Sequence, residues 1–142
     1  MDPAPRYGAQ TKARKAALDV LFAAELRDVE TMLLLSQLRQ EQGTVRELTS
    51  QIVHGVAAHR DELDSWLSEL LAKPWTVERM PGVDRNLARM ALFELQYTET
   101  PAAAVISEAV RLASDLSTDE SPAFLNGVLS AAVKSDRKEV DN

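Results

Sequence analysis

The chain has 142 residues, of which 45% are hydrophobic and 27% are charged, a composition typical of one soluble globular domain. It contains no cysteine, which excludes disulfide bonds and thiolate metal sites. Acidic residues outnumber basic ones by 22 to 16, and the net charge of −6 argues against a protein that holds nucleic-acid phosphates without help.

Apolar residues recur at helical spacing from the N-terminal end onward, and no stretch shows the alternation of a half-buried strand. This pattern predicts a first helix over residues 9–27 and a short second helix over about 32–39, ending near Gly43. Thr44 and Glu47 have the spacing of a capping box, in which each side chain binds a free backbone N–H at a helix start. A third helix is therefore expected to begin directly after Thr44.

The middle of the chain carries two further helical patterns. Leu63–Leu70 contains the apolar side chains of a fourth helix, which Pro74 must end because proline lacks a backbone N–H. After Pro81–Gly82, residues 83–98 carry apolar side chains on more than one helix face. This indicates a helix that is buried on several sides.

Two more helices are predicted from start signals. Thr100 before Pro101, and Ser121 before Pro122, each combine a capping side chain with a proline that is tolerated in the first helical turn. Gly127 lies inside the last pattern, and we interpret it as a close approach between helices. The alternative is that this helix stops at Leu125.

These elements predict an all-α protein, a single compact helical domain of about seven helices over residues 1–142. Residues 1–8 and 136–142 are expected to be flexible ends. The opening residues MDPAPRYG lack the apolar run of a signal peptide, and no stretch resembles a membrane span. We therefore expect a cytoplasmic protein that does not bind membranes.

Three stretches of the sequence resemble the NusB family of transcription antitermination factors. They are ARKAALDVLFAAEL at residues 13–26, WTVERMPGVDRNLARMALFELQY at 75–97, and ISEAVRLASDLSTDESPAFLNGVLSAAV at 106–133. The last is the most specific, since it combines an EA-x₃-A helix, an acidic serine loop and F-x-NGVL. Residues 28–74 match only as generic helices.

The resemblance implies a fold of two small helical subdomains and a function in ribosomal RNA synthesis. Members bind a boxA-type single-stranded RNA element of ribosomal RNA leaders together with NusE, a protein of the small ribosomal subunit. They act indirectly on the elongating RNA polymerase complex. An acidic chain with one basic end suits an RNA surface that is shared with a partner, because such a chain binds RNA poorly alone. Sequence-specific reading of RNA favours unstacked bases, which agrees with a single-stranded element.

The family's N-terminal basic motif falls on Lys12, Arg14 and Lys15, with Arg6 just upstream. Residues 1–15 hold these four cations against the single acid Asp2. Contacts to four phosphates would give a slope of log K against log salt of roughly −3 for single-stranded RNA. The alternative interpretation is a solvated helix start.

Glu120 and Phe124 match the acidic and aromatic residues of the family's second RNA contact region. Phe124 is predicted either to stack on a base or to pack in the core. Glu120 is predicted to tune RNA affinity, since a carboxylate repels phosphates. Its alternative role is a capping box with Ser117.

Asp84 matches an acidic position at which the family meets its protein partner. An exposed carboxylate there is expected to pair with a basic patch on NusE, and charge reversal is expected to leave the fold intact. The alternative is an aspartate that only stabilises a helix N-terminus. Arg85, on the same helix, is expected to extend the partner surface.

No pattern favours catalysis, a cofactor or a metal site. His54 and His59 are five residues apart, which is unsuitable for a helical metal pair, and the glycines form no phosphate-binding loop. We therefore expect a binding protein rather than an enzyme. Two alternatives stay open: a helical scaffold that binds or sequesters NusE without RNA, and the RNA-binding domain of a ribosomal RNA cytosine methyltransferase, of which this chain would be a fragment.

Overall fold

The computed structural model describes residues 7–135. Over this range the chain forms seven α-helices, a single 3₁₀ helix at Val77–Arg79 and no β-strand. The α-helices are α1 (Ala9–Arg27), α2 (Thr31–Gln42), α3 (Glu47–Ala58), α4 (Arg60–Leu70), α5 (Gly82–Tyr97), α6 (Ala102–Leu116) and α7 (Ser121–Ser135). The prediction of an all-α fold of about seven helices is confirmed. The predicted flexible ends lie outside the described residues, apart from positions 7 and 8.

The chain divides into two compact units, Met1–Val53 and His54–Asn142, and the division falls within α3. Two small helical units are what the family resemblance implies. In the first unit α1 packs against α2. The start of α3 is fixed to α1 by the Thr49 hydroxyl, which is buried and donates to the carbonyl oxygen of Ala13 at 2.8 Å.

The first two helices end in left-handed or otherwise unusual backbone. α1 is followed by Asp28, whose φ of 52° lies in the left-handed region that Asp tolerates better than most residues. Val29 then donates its N–H to the carbonyl oxygen of Ala24, which closes the last turn. α2 is followed by Gly43, whose φ of 79° is readily available to glycine. The predicted bounds of α1 and the end of α2 are thereby confirmed.

In the second unit α5 contacts α4, α6 and α7. Its side chains are buried almost continuously from Asn86 to Glu94, as expected of a helix with apolar residues on several faces. Leu87 and Leu92 are among the largest fully buried side chains. The Arg89 guanidinium joins α5 to α4 through a two-point ion pair with Asp64, at 2.7 and 3.0 Å.

The predicted helix starts are shifted by one or more residues. α3 begins at Glu47, so the predicted capping box with Thr44 as the residue before the helix is wrong. α6 begins after Pro101, and α7 begins at Ser121, each one residue from the predicted start. Short polar residues and prolines mark the neighbourhood of a helix start more reliably than its first residue.

Gly127 lies inside α7, so the helix continues through Asn126–Gly127 as predicted. The interpretation of Gly127 as a close approach between helices is wrong, because a Cβ built there meets no atom within 4 Å. The close approach occurs instead at Gly55 in α3, where an added Cβ would overlap the ring of Phe93 in α5.

Candidate nucleic-acid interface

The basic N-terminal end lies in the first unit and is less positive at its surface than the sequence suggests. Lys12 in α1 is exposed, and Lys15 is half-exposed with its ammonium 2.9 Å from the Asp19 carboxylate, one turn along the helix. Arg14 is only 7% exposed, and Arg6 lies outside the described residues. A side chain this buried offers little of its surface to RNA phosphates, and the assignment of Arg14 to the RNA contacts stays a prediction.

The burial of Arg14 follows from its position on α1. Arg14 shares a helix face with Ala17, Leu18 and Leu21, which follow it by three, four and seven residues and are buried. Lys12 lies on the opposite side. Two of the three predicted cations of α1 therefore remain accessible for phosphate contacts.

Asp84 stands in the first turn of α5 and is only 2% exposed. One of its carboxylate oxygens accepts the Ser117 hydroxyl at 2.6 Å, and the other accepts the Ser121 hydroxyl at 2.8 Å. The Ser121 oxygen in turn accepts the backbone N–H of Thr118 at 3.2 Å and lies 2.7 Å from the Thr118 hydroxyl. Because the Ser121 hydroxyl donates its proton to Asp84, the Thr118 hydroxyl must be the donor in its hydrogen bond with Ser121.

The expectation that Asp84 is an exposed carboxylate is wrong. Its charge is enclosed by hydroxyl donors from the turn between α6 and α7, so it cannot steer a basic partner from the surface. The alternative, an aspartate placed at a helix N-terminus, agrees with its position. Asp84 also holds the α6–α7 turn, residues 117–121, against the start of α5.

Glu120 and Phe124 lie at the end of the α6–α7 turn and in the first turn of α7. Glu120 is exposed, and its carbonyl oxygen accepts the N–H of Phe124 at 3.1 Å. Ser117 donates to Asp84, and α7 begins at Ser121, so the alternative of a Ser117–Glu120 capping box is wrong. Phe124 is half-buried, which leaves part of its ring open to a ligand.

Arg85 supports the segment that precedes α5. Its Nη1 donates to the carbonyl oxygens of Met80 at 2.8 Å, Val77 at 3.1 Å and Glu78 at 3.4 Å. Burial and the nearby charge of Arg89 lower the pKa of the Arg85 guanidinium. Through these bonds the Arg85 side chain holds the backbone of the 3₁₀ helix and of Met80 in place.

Residues 7–135 contain no group of three or more histidine, aspartate or glutamate side chains arranged to hold a metal ion. Nor does any of the described helices have the length and apolar character needed to cross a membrane.

Comparison with known proteins decides the family. A sequence model of the NusB family matches residues 11–134, which is most of the chain. The chain belongs to the NusB family. The transcription antitermination protein NusB of Acidothermus cellulolyticus is 51% identical over 134 residues, covering 93% of this chain and 91% of that protein.

Solved NusB structures have the same fold. Thermotoga maritima NusB superposes with a TM-score of 0.80 at 26% identity, covering 91% of this chain and 93% of that one. A second neighbour belongs to a complex of the antitermination factors NusB and NusE with double-stranded RNA. It superposes with a TM-score of 0.77 at 26% identity and covers 89% of this chain and 96% of that one. The predicted NusB fold is confirmed.

One exposed side chain of this NusB-family protein was not predicted from the sequence as a site residue. Trp75 is 46% exposed, and its ring centroid lies 5.7 Å from that of Phe124, with the planes inclined at 51°. The chain has only one other tryptophan, Trp66, which is buried. In the sequence Trp75 contributes only to the family resemblance, and the structure shows that its ring adjoins that of Phe124, a candidate RNA contact.

Proposed function

We propose that this chain is a transcription antitermination factor that binds boxA-type single-stranded RNA of ribosomal RNA leaders together with NusE. The observation that carries the proposal is the family match over residues 11–134, in a chain 51% identical to a protein named for transcription antitermination. The structural neighbour from a complex with NusE and double-stranded RNA supports NusE and RNA as partners, while the choice of a single strand rests on the family resemblance. The factor acts on the elongating polymerase complex indirectly, in the cytoplasm, and as a binding protein rather than an enzyme.

The RNA contacts are proposed to come from two different kinds of side chain. Lys12 and Lys15 of α1 neutralise phosphates. Phe124 stacks on an unpaired base, and Glu120 next to it lowers affinity for ligands that bring a phosphate too close. A preference for single strands follows, because a base inside a duplex cannot place its face on an aromatic ring.

NusE is proposed to supply the attraction that this acidic chain lacks. With a net charge of −6, the chain alone is expected to bind RNA weakly. Coupling between the two ligands must be reciprocal, so RNA tightens NusE binding by the same factor by which NusE tightens RNA binding. Asp84 and Arg85 contribute by holding the start of α5 and its neighbouring turns in shape.

The test is a titration of boxA-type RNA with this chain, with and without NusE, using single-stranded and duplex forms of the RNA. The proposal expects weak binding alone, clear strengthening by NusE, and preference for the single strand. Full affinity without NusE would contradict the adaptor function. Preference for the duplex would contradict the stacking model.

The burial of Arg14 favours one second candidate function. It removes a cation from an already thin basic end, as expected of a scaffold that binds or sequesters NusE without RNA. The same titration separates the two, because the scaffold binds NusE with an affinity that added RNA does not change.

A further inference from the structure

Trp75 is held in place by an ordered segment between α4 and α5. The backbone N–H of Trp75 donates to the Ala72 carbonyl oxygen at 3.0 Å, and the Arg79 guanidinium donates to the Pro74 carbonyl oxygen at 3.4 Å. The next residue, Thr76, accepts the N–H of Arg79 on its side chain and so caps the 3₁₀ helix. These hydrogen bonds therefore fix the backbone from which the Trp75 indole projects.

The two large apolar residues that follow Trp75 in the same segment are buried. Val77 and Met80 are 7% and 3% exposed, whereas Trp75 between them and α4 is 46% exposed. Trp75 therefore leaves almost half of its surface in solvent, although the segment that carries it is ordered and buries Val77 and Met80. Its exposed face is available for a ligand.

We infer that Trp75 is a second base-stacking side chain, which together with Phe124 holds two consecutive unstacked bases of an RNA strand. The inference rests on the proposed RNA-binding function. The ring centroids lie 5.7 Å apart, and the ring planes are inclined at 51°. A single base cannot be sandwiched between rings in this arrangement, since that requires parallel planes with a gap between them. Two bases, one for each ring, are the arrangement that these inclined and partly exposed rings can accept.

Charge around the pair favours bases over phosphates as the groups recognised. The exposed cations Lys73 and Arg79 are balanced by the exposed acids Glu78, Asp119 and Glu120 in the same segment and in the α6–α7 turn. A surface with no positive surplus gains little from phosphate contacts. Stacking on an aromatic face is independent of net charge and tolerates any base. An unpaired base is therefore the occupant that this pair suits.

The experiment measures binding of fluorescently labelled boxA-type single-stranded RNA to the complex of this chain with NusE, at several salt concentrations. Trp75→Ala should weaken binding by about 10-fold, within the range for loss of one base–aromatic stack, without changing the salt slope. Trp75→Phe should restore most of the affinity because it keeps a planar ring. Trp75→Leu keeps an apolar side chain without a ring and should bind as weakly as Trp75→Ala.

Leu26→Ala is the matched control, since Leu26 is a 72% exposed apolar residue in the first unit and should not alter RNA affinity. Thermal unfolding of each variant checks that the fold is kept. Wild-type RNA affinity in Trp75→Ala, or full rescue by Trp75→Leu, would overturn the inference. A loss of NusE affinity in the absence of RNA would also overturn it, because the ring would then face the protein partner.

Failure of this inference and failure of the proposed function give different results. If Phe124→Ala weakens RNA binding and Trp75→Ala does not, only the second stacking position is wrong. If the wild-type complex with NusE does not bind RNA at all, the proposed function itself is wrong.

Discussion

Replacing the buried carboxylate of Asp84 should destabilise the second unit strongly. Asp84 accepts two short hydroxyl hydrogen bonds, from Ser117 and Ser121, and hydrogen bonds to a charged group contribute about 1.5–3 kcal/mol each. In Asp84→Ala the serine hydroxyls can partly pair with each other, since their oxygens lie 3.1 Å apart. We therefore expect a loss at the lower end, about 3 kcal/mol of unfolding free energy.

Two further substitutions at Asp84 should lower the free energy of unfolding by different amounts. Asp84→Asn keeps the shape and one acceptor oxygen, so it should lose about 1.5 kcal/mol. Asp84→Lys should lose at least about 4 kcal/mol, because it leaves an unpaired ammonium in a buried position. This reverses the sequence-based expectation that charge reversal at this position leaves the fold intact.

The measurement is urea-induced unfolding followed by circular dichroism, with unchanged slopes confirming a common mechanism. Glu120→Gln is the matched control, because Glu120 is an exposed carboxylate in the turn that Asp84 holds, and it should change stability by less than about 0.5 kcal/mol. If Asp84→Asn were as harmless as Glu120→Gln, the hydroxyl network around Asp84 would contribute nothing to folding and the argument would fail.

Three other substitutions test the packing. Gly127→Ala should stabilise α7 by about 0.5–1 kcal/mol, because the added methyl group meets open space and alanine favours helix. Gly55→Ala should instead lower the free energy of unfolding by about 1–2 kcal/mol, since its Cβ would overlap the buried Phe93 ring. Urea unfolding measures both variants, and equal effects of the two alanines would refute the assignment of the close approach to Gly55. Asp64→Ala should lower the free energy of unfolding by about 3 kcal/mol, because the Arg89 side chain, which is 5% exposed, loses its two-point carboxylate partner. A fall in melting temperature of under about 1 °C would contradict this.

The helices could be predicted from the sequence because their signal is local. Residues 9–27 carry enough apolar side chains at helical spacing to define α1 at both ends, and Gly43 marks the end of α2 through a backbone angle that glycine favours. Helix starts were less accurate. Thr44 has the right chemistry for a cap but stands three residues before the first residue of α3, and no local pattern distinguishes a used cap from an unused one.

The environment of single residues could be predicted only where helix phase decides it. Arg14 shares its face with buried leucines, so its burial was present in the pattern of α1 although its charge suggested otherwise. Asp84 differs, because the hydroxyls that enclose it come from residues 33 and 37 positions later in the chain. Which glycine meets a neighbouring ring depends on packing in the same way, as Gly55 shows.

The surface charges of α1 limit how much of RNA binding can come from phosphates. Four cations at the N-terminal end would give a salt slope of roughly −3, but of the three in α1 only Lys12 and Lys15 are accessible. Replacing both with alanine should flatten the slope of the NusE-containing complex by about 1.4 units and weaken binding to all RNA sequences alike. Arg14→Ala is the internal comparison, and should reduce stability while leaving the slope of the folded protein unchanged.

Because the two accessible lysines of α1 account for a slope of only about 1.4 units, we expect stacking and NusE to supply much of the affinity. RNA binding by the complex should therefore survive moderate salt far better than binding by a basic protein, which loses affinity steeply with each phosphate contact. Titrations at a series of salt concentrations measure this directly. If Arg14→Ala flattened the slope as much as the two lysine substitutions, the guanidinium would reach phosphate after all, and the division between α1 cations and aromatic stacking would be wrong.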